Sequence, residues 1–504
     1  MQKVTKDKIK EILSKRVKHL DSLNIPHFSS LFSERPVKRV IKAIENKERI
    51  VIVGDYDVDG VSSTALMKRF FREIGVEVRV VIPNRFSDGY GFSLSVLERI
   101  DGDLIITVDN GIASFEAVNE AKKRGIDVIV TDHHTPFEKL PDAYYIINPK
   151  VSSFPYKEIC GAEVAWYFCA GIKSELGVKV DMRDFLDIVA IAIVADIMPL
   201  VYLNRTLFNI GIKKLNQAKK AFSKVLREYF KKELKAEDIA YQVAPRLNSA
   251  GRLGSADIAY EFLVTDDLQR ARELFLKLDE LNNKRKEIEK EVLESVEVGD
   301  EGVILVSGDF NEGVIGIIAS KLVSKYSRPA IVFSKSKGIL KGSGRSLGRV
   351  DLFELIKPSE DILESFGGHK MACGLSLKEE NFERFKEEIN KRIKQYKKED
   401  FFKRDFVLGE LDFSEIDKEL LEIIETFEPY GEGNEKPKFI AKAEVRSISH
   451  LKDNHYKLFL SNNNKILPAL VFGYDGEFGS EIEFKFSLSK DRYENIQLLI
   501  EEIL

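Results

Sequence analysis

The stretch VIVGDYDVDG, residues 51–60, sets carboxylates at Asp55, Asp57 and Asp59 directly after an apolar run. In an extended segment, residues two apart point to one face. Like charges so placed repel one another unless something positive lies among them, and a divalent cation is the simplest resolution, because hard cations take oxygen ligands. The competing reading is a plain turn, since Asp and Gly are common turn formers. TVDNG (107–111), TDHH (131–134) and VADIMPL (194–200) repeat the pattern, each placing Asp, or Asp with His, after an apolar run and offering no Lys or Arg of its own. A single such aspartate is usually a cap or a turn residue. Together the motifs accumulate charge that two divalent ions, bound through carboxylates and one imidazole, would neutralise. That composition suits Mn²⁺ or Mg²⁺ better than zinc, which prefers Cys and His.

The elements that must position these groups are legible around them. RIVIVGD, VEVRVVIP, DLIITVDNG, DVIVTDHH and AYYIINP read as Val/Ile-rich strands, separated by helical stretches such as VSSTALMKRFFREIG and SFEAVNEAKKRG. Alternation of this kind predicts an α/β fold with a parallel, helix-covered sheet, whose ligands gather at the carboxyl ends of the strands. The stretch 255–298 is helical and charged and is expected to form a long connecting helix. EGVILVSGD, RPAIVFS and GILKGSGRS predict a smaller α/β domain, followed by the Lys-rich linker NKRIKQYKKEDFFKRD. Strand-like runs in the tail fit a small all-β barrel of the OB type. The expected division is an N-terminal leader 1–45, a catalytic domain 46–215, a helical connector 216–300, a substrate-binding domain 301–398 and an OB-like domain 405–504.

Bulk properties narrow the function classes. A chain of 504 residues exceeds one ordinary core. With 78 Lys+Arg against 82 Asp+Glu the net charge is −4, so a nucleic-acid surface must be a local patch. Cys160, Cys169 and Cys373 form no CxxC pair, which argues for a reducing compartment and against a disulfide framework or a zinc ribbon. FLDIVAIAIVADIMPLVYL (185–203) has the length of a membrane span. Asp187, Asp196 and Pro199 would then sit in hydrocarbon, so a buried core helix is expected instead. MQKVTKDKIKEIL lacks the apolar stretch of a signal peptide, and a soluble, cytoplasmic protein is expected. No GxxxxGK[ST] occurs, so ATP is not expected.

Taken in order, the motifs resemble those of the DHH phosphoesterase superfamily, named for the triplet seen here as Asp132-His133-His134, and within it the RecJ-type single-strand-specific exonucleases. The resemblance is carried by GDYDVDGVSSTAL, IPNRFSDGYGFS, LIITVDNGIAS, VIVTDHHTP, INPKVSSFPYKEICGAEVAWYF, IAIVADIMPL, APRLNSAGRL, GVIGIIASKL, KGSGRS, SFGGHKMACG and FEPYGEGNEKPKF, over about residues 45–440. GDFNEGVIG lacks the Trp often found before this GVIG, and the first 45 residues match the family's leader poorly. The resemblance implies a DHH catalytic domain, a DHHA1-type domain and a two-metal site. Asp57 and Asp59 would bind, with Asp55 as an outer or alternative ligand. Asp109 would bridge the ions, His133 and Asp196 would complete the second, His134 would touch the scissile phosphate, and Asp132 would orient the histidines.

Substrate choice is expected to rest on the second domain and its approaches. GSGRS offers Ser343 and Arg345 on a flexible loop, GGHK offers His369, PRLNSAGR adds Arg246, Asn248 and Arg252, and PNRF adds Arg85. The basic run 213–232 either tracks a DNA backbone or forms a solvated amphipathic helix with Leu215, Phe222, Leu226 and Phe230 inward. Tyr456, Phe459 and Phe472 either stack bases or fill the barrel core. The resemblance implies a 5′→3′ exonuclease that degrades single-stranded DNA to 5′-mononucleotides in repair and recombination. A monomer is expected, with a single-strand-binding protein or a helicase as its partner. The alternatives are a nanoRNase or phosphatase on short oligonucleotides, and an inactive replication scaffold. Because the metal motifs all precede residue 200, loss of the tail near residue 405 is expected to spare hydrolysis of short strands.

Overall fold

A computed structural model of the chain describes residues 2–18, 25–402, 406–451, 454–491 and 493–504. The first sheet is parallel, in the order β2 (Arg79–Val81), β1 (Ile50–Val53), β3 (Leu104–Val108), β4 (Asp127–Thr131), β5 (Tyr145–Ile147). Its central strands are buried on both faces, and strict alternation divides their side chains. Ile50 and Ile52 join one core cluster while Val51 and Val53 join another on the opposite face. In this strand order the connections diverge between β1 and β3, which opens a crevice at their carboxyl ends. The run 186–195 is a buried core helix, and among the described residues no helix is long and apolar enough to cross a membrane.

Helices Ala244–Leu253, Asp257–Val264 and Leu268–Ser295 lead to the second sheet, the last running for 28 residues. That sheet is mixed, in the order β6 (Ile304–Gly308), β7 (Ala330–Ser336), β8 (Ile339–Arg345), β10 (Ala372–Lys378), β9 (Leu363–His369). One loop expectation fails here. GSGRS runs along β8, because this strand pairs with β7 and β10, and its Gly342 and Gly344 make room for Phe333 and Leu352; GGH closes β9, which pairs with β10. PRLNSAGR lies within helix Ala244–Leu253, which directly continues a π-helical turn, Ile239–Val243.

The third sheet contains β11 (Val407–Glu410), β12 (Lys438–His450), β13 (Tyr456–Asn462), β14 (Lys465–Val471), β15 (Glu481–Lys490) and β16 (Ile496–Ile503). Pairing of β12 with both β13 and β15 closes the last five into a barrel. Residue 405, the expected start of this domain, lies outside the described residues. The leader divides between two units. Val4, Ile9 and Leu13, the last two on helix Lys6–Lys18, sit in the barrel's hydrophobic cluster, whereas Val37, Val40 and Ala43 on helix Glu34–Glu45 pack into the first domain. The basic run 213–232 takes its amphipathic reading: Leu215, Phe222 and Leu226 are buried, and Lys220 pairs with Asp187 at 2.9 Å.

Candidate active site

The carboxylates of DYDVDG are not aligned on one extended face. The strand ends at Val53, and Asp57 caps helix Val58–Glu73 by accepting the Gly60 N–H at 3.0 Å. Asp59 therefore stands in the helix's first turn. Its carboxylate accepts the main-chain N–H groups of Gly161 and Ala162, at 2.6 and 2.9 Å, from the start of helix Gly161–Leu176. Asp109 follows β3 with a φ of +60° and Asp196 caps the end of helix Leu186–Ala195. A left-handed conformation at a residue other than Gly is a local strain that surrounding structure must hold. At Asp109 that hold includes Gly161, where a Cβ would come within 2.6 Å of the Asp109 Cβ. Only glycine lets the helix start approach so closely.

These side chains converge. His133 Nε2 lies 3.1 Å from Asp109 Oδ1, 3.5 Å from Asp196 Oδ2 and 3.6 Å from Asp59 Oδ2. Asp55, Asp57 and Asp109 form one group with ligand atoms within 4.8 Å of one another, and Asp59, His133 and Asp196 form a second. Asp55 is 1% exposed and groups with Asp57 and Asp109, while Asp59, held by the Gly161 and Ala162 amides, groups with His133 and Asp196. Asp55 Oδ1, Asp109 Oδ1 and Asp196 Oδ2 are buried without any hydrogen-bond partner. Buried carboxylate oxygens are costly when unpaired. Oxygens left open toward a shared centre, with one imidazole, are the donor set of hard divalent cations, so these groups fit Mn²⁺ or Mg²⁺.

Electrostatics point the same way. Burial, and then neighbouring carboxylates, push Asp55 and Asp109 well above the ordinary carboxylate range and Asp196 up to about 8. Burial holds His133 below its usual value, keeping the neutral imidazole that a metal requires. His134 behaves oppositely. Burial opposes its charge, but the hydrogen bond from Nδ1 to Asp132, at 2.8 Å, carries it up to about 9. Asp132 is occupied as an orienting group, accepting the N–H groups of Ile112, His133 and His134 as well.

A cleft of about 1410 Å³ separates this centre from the second sheet, with His134, Asp132 and Tyr90 on one wall and Ser343, Arg345, Gly367 and Gly368 on the other. Ser343 and Arg345 are two apart on β8, and the guanidinium reaches the Ser343 hydroxyl at 3.0 Å. Of the other expected substrate residues, Asn248 and Arg252 line an adjoining groove of about 930 Å³ between the first domain and the barrel. Burial, and then Arg85 and Arg285, lower the Arg252 guanidinium to about 10, so cations cluster beside the acidic centre. Arg85 stacks over Tyr56 at 4.2 Å. Arg246 is not brought to the cleft; it pairs with Asp279 at 2.8 Å and packs on Tyr229 and Phe230. His369 is exposed at the end of β9 and does not line the cleft. In the barrel Tyr456 packs on Phe478, whereas Phe459 and Phe472 are 37% and 55% exposed.

Several groups were missed from sequence. Tyr90 places its hydroxyl 3.3 Å from His134 Nε2, and Arg285 stands beside Arg252 from the long helix. The amides of Gly161 and Ala162 carried no signal, since main-chain donors are not legible from residue types. Tyr90 could have been suspected from the Gly-rich SDGYGFS.

Family models match along the chain: DHH family, N-terminal domain, at residues 49–193; DHHA1 domain at 299–395; RecJ OB domain at 409–502. The chain is similar to the single-stranded-DNA-specific exonuclease RecJ of Haemophilus influenzae, with 35% identity covering 90% of this chain and 85% of that protein. RecJ of Bacillus subtilis is 34% identical over 91% of this chain and 61% of its own length. In structure the chain is similar to RecJ from Thermus thermophilus in complex with Mn²⁺, with a TM-score of 0.81 and 28% identity, covering 93% of this chain and 70% of that one.

Proposed function

Given that the chain belongs to the RecJ family of single-stranded-DNA-specific exonucleases, we propose that it shortens single strands from the 5′ end, releasing 5′-mononucleotides during repair and recombination. The protein is a metal-dependent exonuclease of single-stranded DNA. The observation that carries the reading is the pair of acid-rich groups, beside which Asp132 and His134 line a cleft whose other wall carries Ser343 and Arg345. Asp55, Asp57 and Asp109 would hold one ion and Asp59, His133 and Asp196 the other, with Asp109 next to both. Bound Mn²⁺ or Mg²⁺ supplies Lewis acidity that activates water and neutralises phosphate charge. In this reading His134, its Nδ1 bonded to Asp132 and its Nε2 beside the Tyr90 hydroxyl, contacts a phosphate oxygen of the bond being cut. Ser343 and Arg345 hold the terminal phosphate, which carries more charge than an internal diester. Arg85, Asn248 and Arg252 follow the strand as it leaves the cleft, and Phe459 and Phe472 offer stacking surfaces farther along.

The proposed division of labour is hydrolysis in 46–215, end recognition in 301–398 and strand binding in 405–504, with 216–300 connecting them. We place the enzyme in the cytoplasm as a monomer serving a single-strand-binding protein or a helicase. A phosphatase of very short oligonucleotides would have no use for the barrel, and an inactive scaffold would have no reason to keep the open carboxylates. An assay of inorganic phosphate release, run beside Mn²⁺-dependent digestion of a long single strand, separates these readings. The exonuclease consumes the strand and releases nucleotides without inorganic phosphate. Phosphate release alone, or no reaction on any substrate, would overturn the assignment.

A further inference from the structure

Within its group Asp196 differs from Asp59. Asp59 is fixed by two main-chain N–H groups and Asp57 by one, but Asp196 Oδ2 has no hydrogen-bond partner and its side chain is 29% exposed. The position of Asp196 therefore rests on its backbone. Upstream this is the end of helix Leu186–Ala195, closed by the Met198 N–H bonding to the Ile193 carbonyl at 2.9 Å. Downstream the chain passes through Ile197, at a φ of +55°, and enters helix Tyr202–Asn216.

That downstream segment is gripped by a distant part of the chain. Arg205, 4% exposed, donates to successive carbonyls of Phe427 (3.4 Å), Glu428 (2.7 Å) and Pro429 (3.1 Å). The Leu200 N–H donates to the Glu432 carbonyl at 2.7 Å, and Gly431 packs so closely that a Cβ there would meet the Leu200 side chain at 2.7 Å. The gripping segment, FEPYGEGN (427–434), is braced from within. Asn434, fully buried, donates to the Phe427 and Pro429 carbonyls at 3.1 and 2.8 Å, and the Tyr430 hydroxyl donates to the Ile424 carbonyl at 2.6 Å. A few residues later the same segment becomes β12 of the barrel.

We propose that Arg205 and the 427–434 segment are a positioning device for Asp196, by which the barrel region sets the affinity of the group formed by Asp59, His133 and Asp196 for its ion. Arg205 lies outside the candidate metal-holding groups. It acts by fixing where the backbone leaves Asp196. This rests on the two-ion reading above.

The test is Mn²⁺ binding to the full chain without DNA, followed by calorimetry and by electron paramagnetic resonance of free Mn²⁺, with strand digestion measured separately. In Arg205→Ala one of two Mn²⁺ should bind about 10–100-fold more weakly, the range found when a residue supporting a ligand is lost. The turnover number at limiting Mn²⁺ should fall and recover in excess Mn²⁺, while KM for the strand stays constant. Arg205→Lys, retaining a donor to one carbonyl, should recover part of the affinity. Asn434→Ala, which loosens the segment from its own side, should show the same selective weakening and decides the matter if Arg205→Ala does not fold. Wild-type affinity for both ions in either folded variant, or a raised KM with unchanged Mn²⁺ binding, would overturn the device. Asp196→Asn distinguishes the levels. Should it retain both ions, the two-ion reading itself fails. Should it lose one while Arg205→Ala and Asn434→Ala lose none, only the positioning role fails.

Discussion

His133 Nε2 and Asp109 Oδ1 stand 3.1 Å apart, with the aspartate oxygen buried and without a hydrogen-bond partner. A neutral imidazole and an open carboxylate oxygen at that separation form a pair of donors facing a common acceptor. Asp109 belongs both to the group with Asp55 and Asp57 and to one with His133 and His134, so a single change there should disable both halves of the site.

Replacing Asp109 by Asn should abolish digestion, lowering the rate by about 10³-fold or more, since the Lewis acidity at stake is worth several kcal/mol. Asn tolerates the left-handed backbone at this position, so the variant should fold and still bind single strands. Folding is checked by thermal melting and binding by fluorescence anisotropy. Near-wild-type turnover in a folded protein would contradict the assignment.

Gly161→Ala should damage the centre without touching any charged group. Its methyl would press on the Asp109 side chain at 2.6 Å and displace the amides that hold Asp59. Overpacking of this kind costs about 1–3 kcal/mol. A lowered melting temperature together with weakened Mn²⁺ binding is expected, and an unchanged Mn²⁺ isotherm would count against the close approach.

Acid–base behaviour offers an independent check. Without metal, Asp196 is held up to about 8 against an ordinary 3.8, so the folded chain keeps a proton that the unfolded chain releases. The stability from this group is fully present below the ordinary value and is lost as pH rises through about 8. Bound cations replace the proton and should remove that loss. Melting curves from about pH 6 to 9, with chelator and with Mn²⁺, should diverge as pH rises, and parallel curves would contradict the buried-acid account.

Arg345→Ala should slow strands bearing a 5′-phosphate more than strands bearing a 5′-hydroxyl. A charged hydrogen bond of this kind contributes about 1–3 kcal/mol. The ratio of the two rates, wild type against variant, reads the effect. An equal loss on both substrates would place end recognition elsewhere.

The metal motifs were legible because each follows an apolar run that is unmistakable, and strand ends are where such folds collect ligands. What the sequence concealed was contact between distant segments. The glycines of GSGRS suggest a loop when read locally, yet β7 and β10 pair with this strand and make it sheet. Arg246 looks like the other arginines of its motif until Asp279, on the long helix, is seen beside it. The expectation that the tail is dispensable for short substrates is revised for the same reason. Arg205 and Leu200 bond to residues 427–434, more than two hundred positions away, and the barrel core shelters Ile9 and Leu13. Ending the chain near residue 405 should therefore slow hydrolysis of short strands too, with a larger loss on long ones, a comparison made with two labelled oligonucleotides.

The most direct measurement follows a 5′-labelled single strand during digestion by chelator-treated protein resupplied with Mn²⁺. Labelled mononucleotide should appear from the first time point, only after Mn²⁺ is added, with blunt duplex left intact and Asp109→Asn inert. Digestion that proceeds in chelator, persists in Asp109→Asn, or releases the 5′ label last would contradict a metal-dependent exonuclease working from the 5′ end at this centre.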